Sequence, residues 1–129
     1  MSEPSVNRDL AGTCARMVAW WGPGVALILI TANMGWWWRV AGWSIGLAWF
    51  GALCLVNAAR CRRMHCYFTG PFYLVMSALV LAVGFHLVSL GRETWDLIVV
   101  AMLFGWILLT TIPEWIWGHY RARHVPPAH

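Results

Sequence analysis

Four apolar runs dominate this sequence, and each is close to the roughly 20 residues that an α-helix needs to cross the hydrocarbon core of a bilayer. They cover residues 18–36, 40–58, 71–90 and 95–113. No charged residue lies in the middle of any run. The sequence therefore predicts an all-α integral membrane protein, with four transmembrane helices in two antiparallel hairpins. The whole chain, residues 1–129, would form a single membrane domain.

Composition supports this class of protein. Of the 129 residues, 60% are hydrophobic and 11% are charged, whereas a soluble domain is about 45–50% apolar. A soluble enzyme, a disordered regulator and a nucleic-acid-binding protein are therefore poorly supported, despite the net charge of +4. The expected partner is the lipid bilayer. Other membrane subunits or a second copy of the chain remain open alternatives, and no nucleic acid is expected.

The placement of arginine predicts the orientation, because basic residues are retained on the cytoplasmic side of a membrane. With four spans, the N-terminus, the loop 59–70 and the tail 118–129 share one side. Seven arginines belong to that side, namely Arg8, Arg16, Arg60, Arg62, Arg63, Arg121 and Arg123. The other two, Arg39 and Arg92, lie on the opposite side. Both termini are therefore predicted to be cytoplasmic, in a multi-pass protein of the inner (plasma) membrane.

The candidate functional site is the polar loop 59–70, where Cys61, His65 and Cys66 lie among three arginines. Positive surroundings favour thiolate over thiol, so these cysteines are expected to be nucleophilic and ready to bind metal. On an unbroken helix Cys61 and Cys66 would point about 140° apart. Joint binding of one ion therefore requires this segment to bend as a loop.

Further ligands could join the site from the other segments. Cys14 precedes the first run, Cys54 lies about one turn before the end of the second, and Glu114 follows Pro113 at the end of the fourth. In the reducing cytoplasm, clustered cysteines favour soft-metal binding or redox chemistry over a structural disulfide. Two thiolates suit Cu(I) or Hg(II), and three or four sulfur and nitrogen ligands suit zinc. The candidate metal ligands are Cys14, Cys54, Cys61, His65, Cys66 and Glu114.

A structural interpretation stays open for each of these residues. Cys14 and Cys54 can be small apolar fillers, and the arginines can anchor the loop to anionic lipid. Glu114 can pair with one of those arginines, or it can join His119 as an additional ligand beside the thiols. The sequence alone does not choose between these interpretations.

Polar and small residues in the runs carry further expectations. His86 and Asn33 lie at similar depths in the third and first runs, so a hydrogen bond between them is expected. A haem or metal role for His86 is the alternative. Gly42 and Gly46 form a small-xxx-small pair that allows close approach of helix backbones. Thr69 is expected to cap the start of the third helix.

In size, span count and its cysteine-bearing loop, the chain resembles the mercuric-ion transport proteins of bacterial mercury-resistance systems. In that family a cysteine pair in the first span receives the ion from the periplasm, and a cytoplasmic pair hands it on. The resemblance implies that Cys61 and Cys66 correspond to the cytoplasmic pair. The first run departs from the pattern because it contains no cysteine and has Asn33 and Met34 near its outer end instead.

The first functional prediction is binding or translocation of a soft metal ion (Hg, Cu or Zn) through a cytoplasmic-face Cys/His site. Met34, Met76 and Met102 could act as weak stepping ligands inside the bundle. The alternative is a non-catalytic accessory or assembly subunit, which would use the glycine face of the second helix and the tryptophan-rich surfaces to bind a larger membrane complex. A dithiol enzyme using Cys61 and Cys66 ranks last, since no cofactor motif or acid–base pair accompanies them.

Overall fold

The computed structural model describes residues 14–62, 64–88 and 93–117, and every regular element in these ranges is an α-helix. The four helices are α1 (Cys14–Ala32), α2 (Trp36–Cys61), α3 (Met64–Gly84) and α4 (Thr94–Trp117). Each is long and apolar enough to cross a membrane. The prediction of an all-α protein with four apolar spans is therefore confirmed, and it indicates a multi-pass membrane protein.

The connection between α2 and α3 is much shorter than predicted. α2 runs to Cys61 and α3 begins at Met64, so the prediction of a loop over residues 59–70 is wrong. Arg62 ends α2 in the left-handed conformation (φ 54°, ψ 33°), and its backbone N–H donates to the Ala58 carbonyl at 2.9 Å. Such a cap pairs a carbonyl of the last turn and redirects the chain at once. The polar residues that indicated a loop lie on helices instead.

The start of α3 also differs from the expectation. The helix begins at Met64 and contains Pro71, so the predicted cap at Thr69 is wrong. The Thr69 hydroxyl lies 3.0 Å from the carbonyl of His65, one turn earlier, and donates to it as a side chain within a helix does. Proline inside a spanning helix is tolerated where neighbouring helices and hydroxyl groups pair the freed backbone groups.

At its other end, α3 stops at Gly84, before His86. His86 therefore lies beyond the helix, with a positive φ of 56°. His86 and Asn33 are both exposed, and the contacts of the described residues do not include the hydrogen bond expected between them. The His86 imidazole stacks on the Trp36 indole instead, with ring centroids 6.3 Å apart and an angle of 11° between the planes.

The helices pack in a row, in the order in which they occur along the chain. α2 packs against α1 and α3, and α3 also packs against α4. Within the described ranges, no other pair of helices has Cα atoms within 8 Å of each other. Thirteen of the 26 residues of α2 are buried inside the protein, whereas only three of the 24 residues of α4 are. The outer faces of α1 and α4 are therefore apolar surfaces of the kind that lipid covers.

Glycines of α2 allow α1 to approach closely. A Cβ atom added at Gly42 would overlap the Thr31 side chain of α1, and one added at Gly46 would lie 3.2 Å from the Gly24 carbonyl oxygen. The small-xxx-small pair thus packs two helix backbones together, as its spacing indicates. Because α1 covers this face, the face cannot serve another protein, contrary to the expectation for an accessory subunit.

Candidate thiol site

Two buried cysteines from different helices meet between α2 and α3. Cys54 is 2% exposed and Cys66 is fully buried, and each sulfur accepts a hydrogen bond from a side chain of the opposite helix. Twelve positions separate the two residues in the sequence, so no short motif marks the pair. The tight turn at Arg62 brings the first turns of α3 alongside the last turns of α2, and this places the two cysteines at the same helix interface.

Two buried polar side chains contact the sulfurs. The Asn57 amide donates to Cys66 Sγ at 3.8 Å. The Thr69 hydroxyl lies 3.4 Å from Cys54 Sγ, so its single proton is shared between that sulfur and the carbonyl of its own helix. Donors aimed at sulfur complement the negative charge that a thiolate carries when it binds a metal ion. Each sulfur therefore has one polar partner in an otherwise apolar helix interface.

A histidine–carboxylate pair lies next to these thiols. His65 of α3, the residue before Cys66, is hydrogen-bonded through Nδ1 to Glu114 Oε1 of α4. Both side chains are about one-fifth exposed. A carboxylate at Nδ1 orients the imidazole and stabilises its protonated form. The pair can therefore hold a proton close to the cysteines and exchange it with solvent.

These residues form one connected set across three helices. We call it the thiol cluster, and its members are Cys54, Asn57, His65, Cys66, Thr69 and Glu114. The Thr69 hydroxyl links the buried sulfur of Cys54 to the carbonyl of His65, and the His65 imidazole contacts the partly exposed carboxylate of Glu114.

The other predicted ligands have separate positions. Cys61 is buried at the last residue of α2 and, like Cys54 and Cys66, is not in a disulfide. Cys14 opens α1, but its side chain lies outside the described part of the chain, as does His119. Within residues 14–62, 64–88 and 93–117, no group of three or more His, Cys, Asp or Glu side chains could hold a metal ion. The predicted ligands in these ranges thus do not converge on one point.

Asn57 and Thr69 are the residues of the thiol cluster that the sequence analysis did not assign to a site. A spacing signal could have found them, because Asn57 follows Cys54 by three positions and Thr69 follows Cys66 by three. Residues three apart on a helix share a face. A polar residue on the same face as a cysteine, within an apolar span, indicates a buried contact.

Comparisons with known proteins found no match to this chain among family models, curated proteins or solved structures.

Proposed function

We propose that this protein binds a soft metal ion through the thiol cluster and passes it on at the cytoplasmic face of the membrane. The observation that supports the proposal is that adjacent helices bring two buried thiols, Cys54 and Cys66, to one interface, where each sulfur accepts a hydrogen bond from the other helix. Two thiolates are a ligand set suited to Cu(I) and Hg(II). A two-sulfur site does not need the third protein ligand that zinc would require.

The proposed topology follows from the arginines. In it the helices form two antiparallel hairpins, and both termini are cytoplasmic. The junction of α2 and α3, beside the thiol cluster, carries Arg60 and Arg62, and basic residues favour the cytoplasmic side of the inner membrane. That compartment keeps thiols reduced, so that they remain able to bind metal.

Metal binding in this site must release protons, since each thiol that becomes a ligand loses one. Two thiols lose two protons, and His65, which Glu114 holds, is the titratable group next to Cys66 in the sequence. In this proposal the imidazole accepts one of the two protons as the sulfurs bond to the ion, and the other leaves to water. The partly exposed carboxylate then stabilises the imidazolium until the proton leaves to water.

The reduced, detergent-solubilised protein is expected to bind one Cu(I) per chain, in competition with a chromogenic Cu(I) chelator. Loss of an outer-shell partner lowers metal affinity by about 10–100-fold. Replacing Cys66 with serine removes a soft ligand itself, so the affinity of the variant for Cu(I) should fall by more than that. Circular dichroism of both proteins controls for folding. Wild-type binding no tighter than that of folded Cys66→Ser would contradict the proposal.

Glu114→Gln tests the histidine–carboxylate pair. The substitution keeps the shape of the side chain and removes its charge, so the imidazolium loses its support and the apparent Cu(I) affinity at neutral pH should fall by about tenfold. Stoichiometry should not change. Glu93→Gln is the matched control, because Glu93 is an exposed carboxylate before the start of α4. Equal affinities of the Glu114 and Glu93 variants would remove His65 and Glu114 from the mechanism.

The alternative function, an accessory or assembly subunit, is supported by the apolar outer faces of α1 and α4. Trp115 of α4, for example, is 88% exposed. A subunit that binds through these faces would keep its function when Cys54 and Cys66 are both replaced by serine. A metal-binding protein would lose its function in the same variant.

A further inference from the structure

A second cluster of side chains lies around the first turns of α2, away from the thiol cluster. The Trp95 indole of α4 makes edge contacts with Trp43 and Trp36, at centroid distances of 5.3 and 5.8 Å. The Arg39 guanidinium lies over the same indole, 5.8 Å from its centroid. His86 also stacks on Trp36. We call these five residues the tryptophan cluster.

Two donors of the tryptophan cluster have no hydrogen-bond partner in the described part of the chain. They are Arg39 Nε and Trp43 Nε1, and both atoms are buried. The Trp43 side chain as a whole is only 8% exposed. The carboxylates nearest in sequence to Trp95, those of Glu93 and Asp96, are exposed, and neither forms an ion pair with Arg39. A buried donor without a partner is unfavourable, so an acceptor that reached these two atoms would stabilise the cluster.

The electrostatics at this point favour an anion. Arg39 and Trp43 are four residues apart and share a face of α2. Arg39 lies in the first turn of the helix, whose N-cap, Gly35, supplies no side-chain hydrogen bond. The first amide groups of α2 and the positive end of its dipole therefore add to the charge of the guanidinium. The group that satisfies these donors must accept hydrogen bonds and carry negative charge.

We propose that the tryptophan cluster binds a phosphate group, held by the Arg39 guanidinium and the Trp43 Nε1–H. Arginine recognises phosphate oxygens by charge-assisted hydrogen bonds, and indole N–H groups donate at the membrane interface. The end of a spanning helix lies at the depth of lipid headgroups, where phosphodiesters are the abundant acceptors. A phospholipid headgroup and free phosphate share this chemistry, and the experiment below separates them.

Native mass spectrometry of the full chain in detergent tests the proposal with three probes. These are phosphatidylglycerol, a diacylglycerol with the same acyl chains, and inorganic phosphate. The wild type should retain phosphatidylglycerol at least about tenfold better than diacylglycerol, since a hydrogen bond to a charged group is worth about that factor. Competition by inorganic phosphate would indicate that free phosphate also enters the site, and its failure would indicate a site for the lipid headgroup.

Three variants complete the experiment. Arg39→Gln should weaken retention of phosphatidylglycerol by about tenfold, and Trp43→Phe, which keeps an aromatic ring and loses the N–H, by several-fold. Arg60→Gln is the control for general attraction of an anionic lipid to arginine, because Arg60 is an exposed arginine near the other end of α2. It should weaken retention much less than Arg39→Gln does. Because Arg39 lies near the helix end, Arg39→Gln is informative even if Trp43→Phe fails to fold.

Three results would overturn the proposal. They are unchanged retention in Arg39→Gln, an equal loss in Arg60→Gln, and equal retention of diacylglycerol by the wild type. The proposal is independent of metal binding, since Arg39→Gln leaves the thiol cluster intact and should bind Cu(I) as the wild type does.

Discussion

Replacing Gly42 with alanine should destabilise the protein by about 3 kcal/mol, near the upper end of the range for overpacking. The new methyl group would overlap Thr31 Oγ1 and lie 2.5 Å from Thr31 Cβ. A different rotamer of Thr31 would move Oγ1 away from the new methyl group, but it would not move the Thr31 Cβ atom. The position of that Cβ atom changes only when the backbone of α1 moves. The Thr31 hydroxyl is also hydrogen-bonded to the Leu27 carbonyl at 2.7 Å. The two helices must therefore separate.

Gly22→Ala is the matched control for this prediction. Gly22 also lies within a helix, but a Cβ atom there would meet only Val18 Cγ1, at 3.9 Å. Alanine favours a helix over glycine by about 1 kcal/mol, so this variant should be neutral or slightly more stable. The measurement is unfolding by SDS titration in mixed micelles, followed by circular dichroism and tryptophan fluorescence. Equal destabilisation of both variants would contradict the close packing of α1 on α2.

Cys54→Ser and Cys61→Ser should have opposite outcomes in Cu(I) binding. Cys54 and Cys66 lie at the same interface of α2 and α3, so Cys54→Ser should lower the affinity by more than about 100-fold, beyond the usual cost of losing an outer-shell partner. Cys61 does not form a three-ligand group with these two cysteines. Cys61→Ser should therefore keep nearly all the wild-type affinity.

The two serine variants are well matched, since all three cysteines are buried and unoxidised. Thermal unfolding of each variant shows whether the substitution has damaged the fold. The spacing in the sequence, and the resemblance to mercuric-ion transporters, both predict Cys61 and Cys66 as the pair. Loss of binding in Cys61→Ser with retention in Cys54→Ser would support that pairing and contradict the one proposed from the structure.

The sequence by itself determined the class of this protein and the number of its helices. Four long apolar runs without central charges can satisfy their backbone groups in lipid only as helices, so length and hydropathy were sufficient. The sequence also identified cysteine, histidine and Glu114 as the residues most able to carry chemistry. It misplaced the junction of α2 and α3 because polar residues in 59–70 were interpreted as solvated, whereas Cys66 and Thr69 are buried by packing.

Only the tertiary structure decided which side chains meet. Cys54 and Cys66 come together because Arg62 adopts a left-handed backbone conformation between α2 and α3. Residues other than glycine rarely have a positive φ, so no spacing rule predicts this turn. The two helices also approach closely, since a Cβ atom at Gly51 would lie 3.0 Å from the Gly70 carbonyl oxygen. Periodicity reports which face a residue occupies on its own helix. It does not report the turn geometry or the helix separation, and these two quantities determine which faces touch.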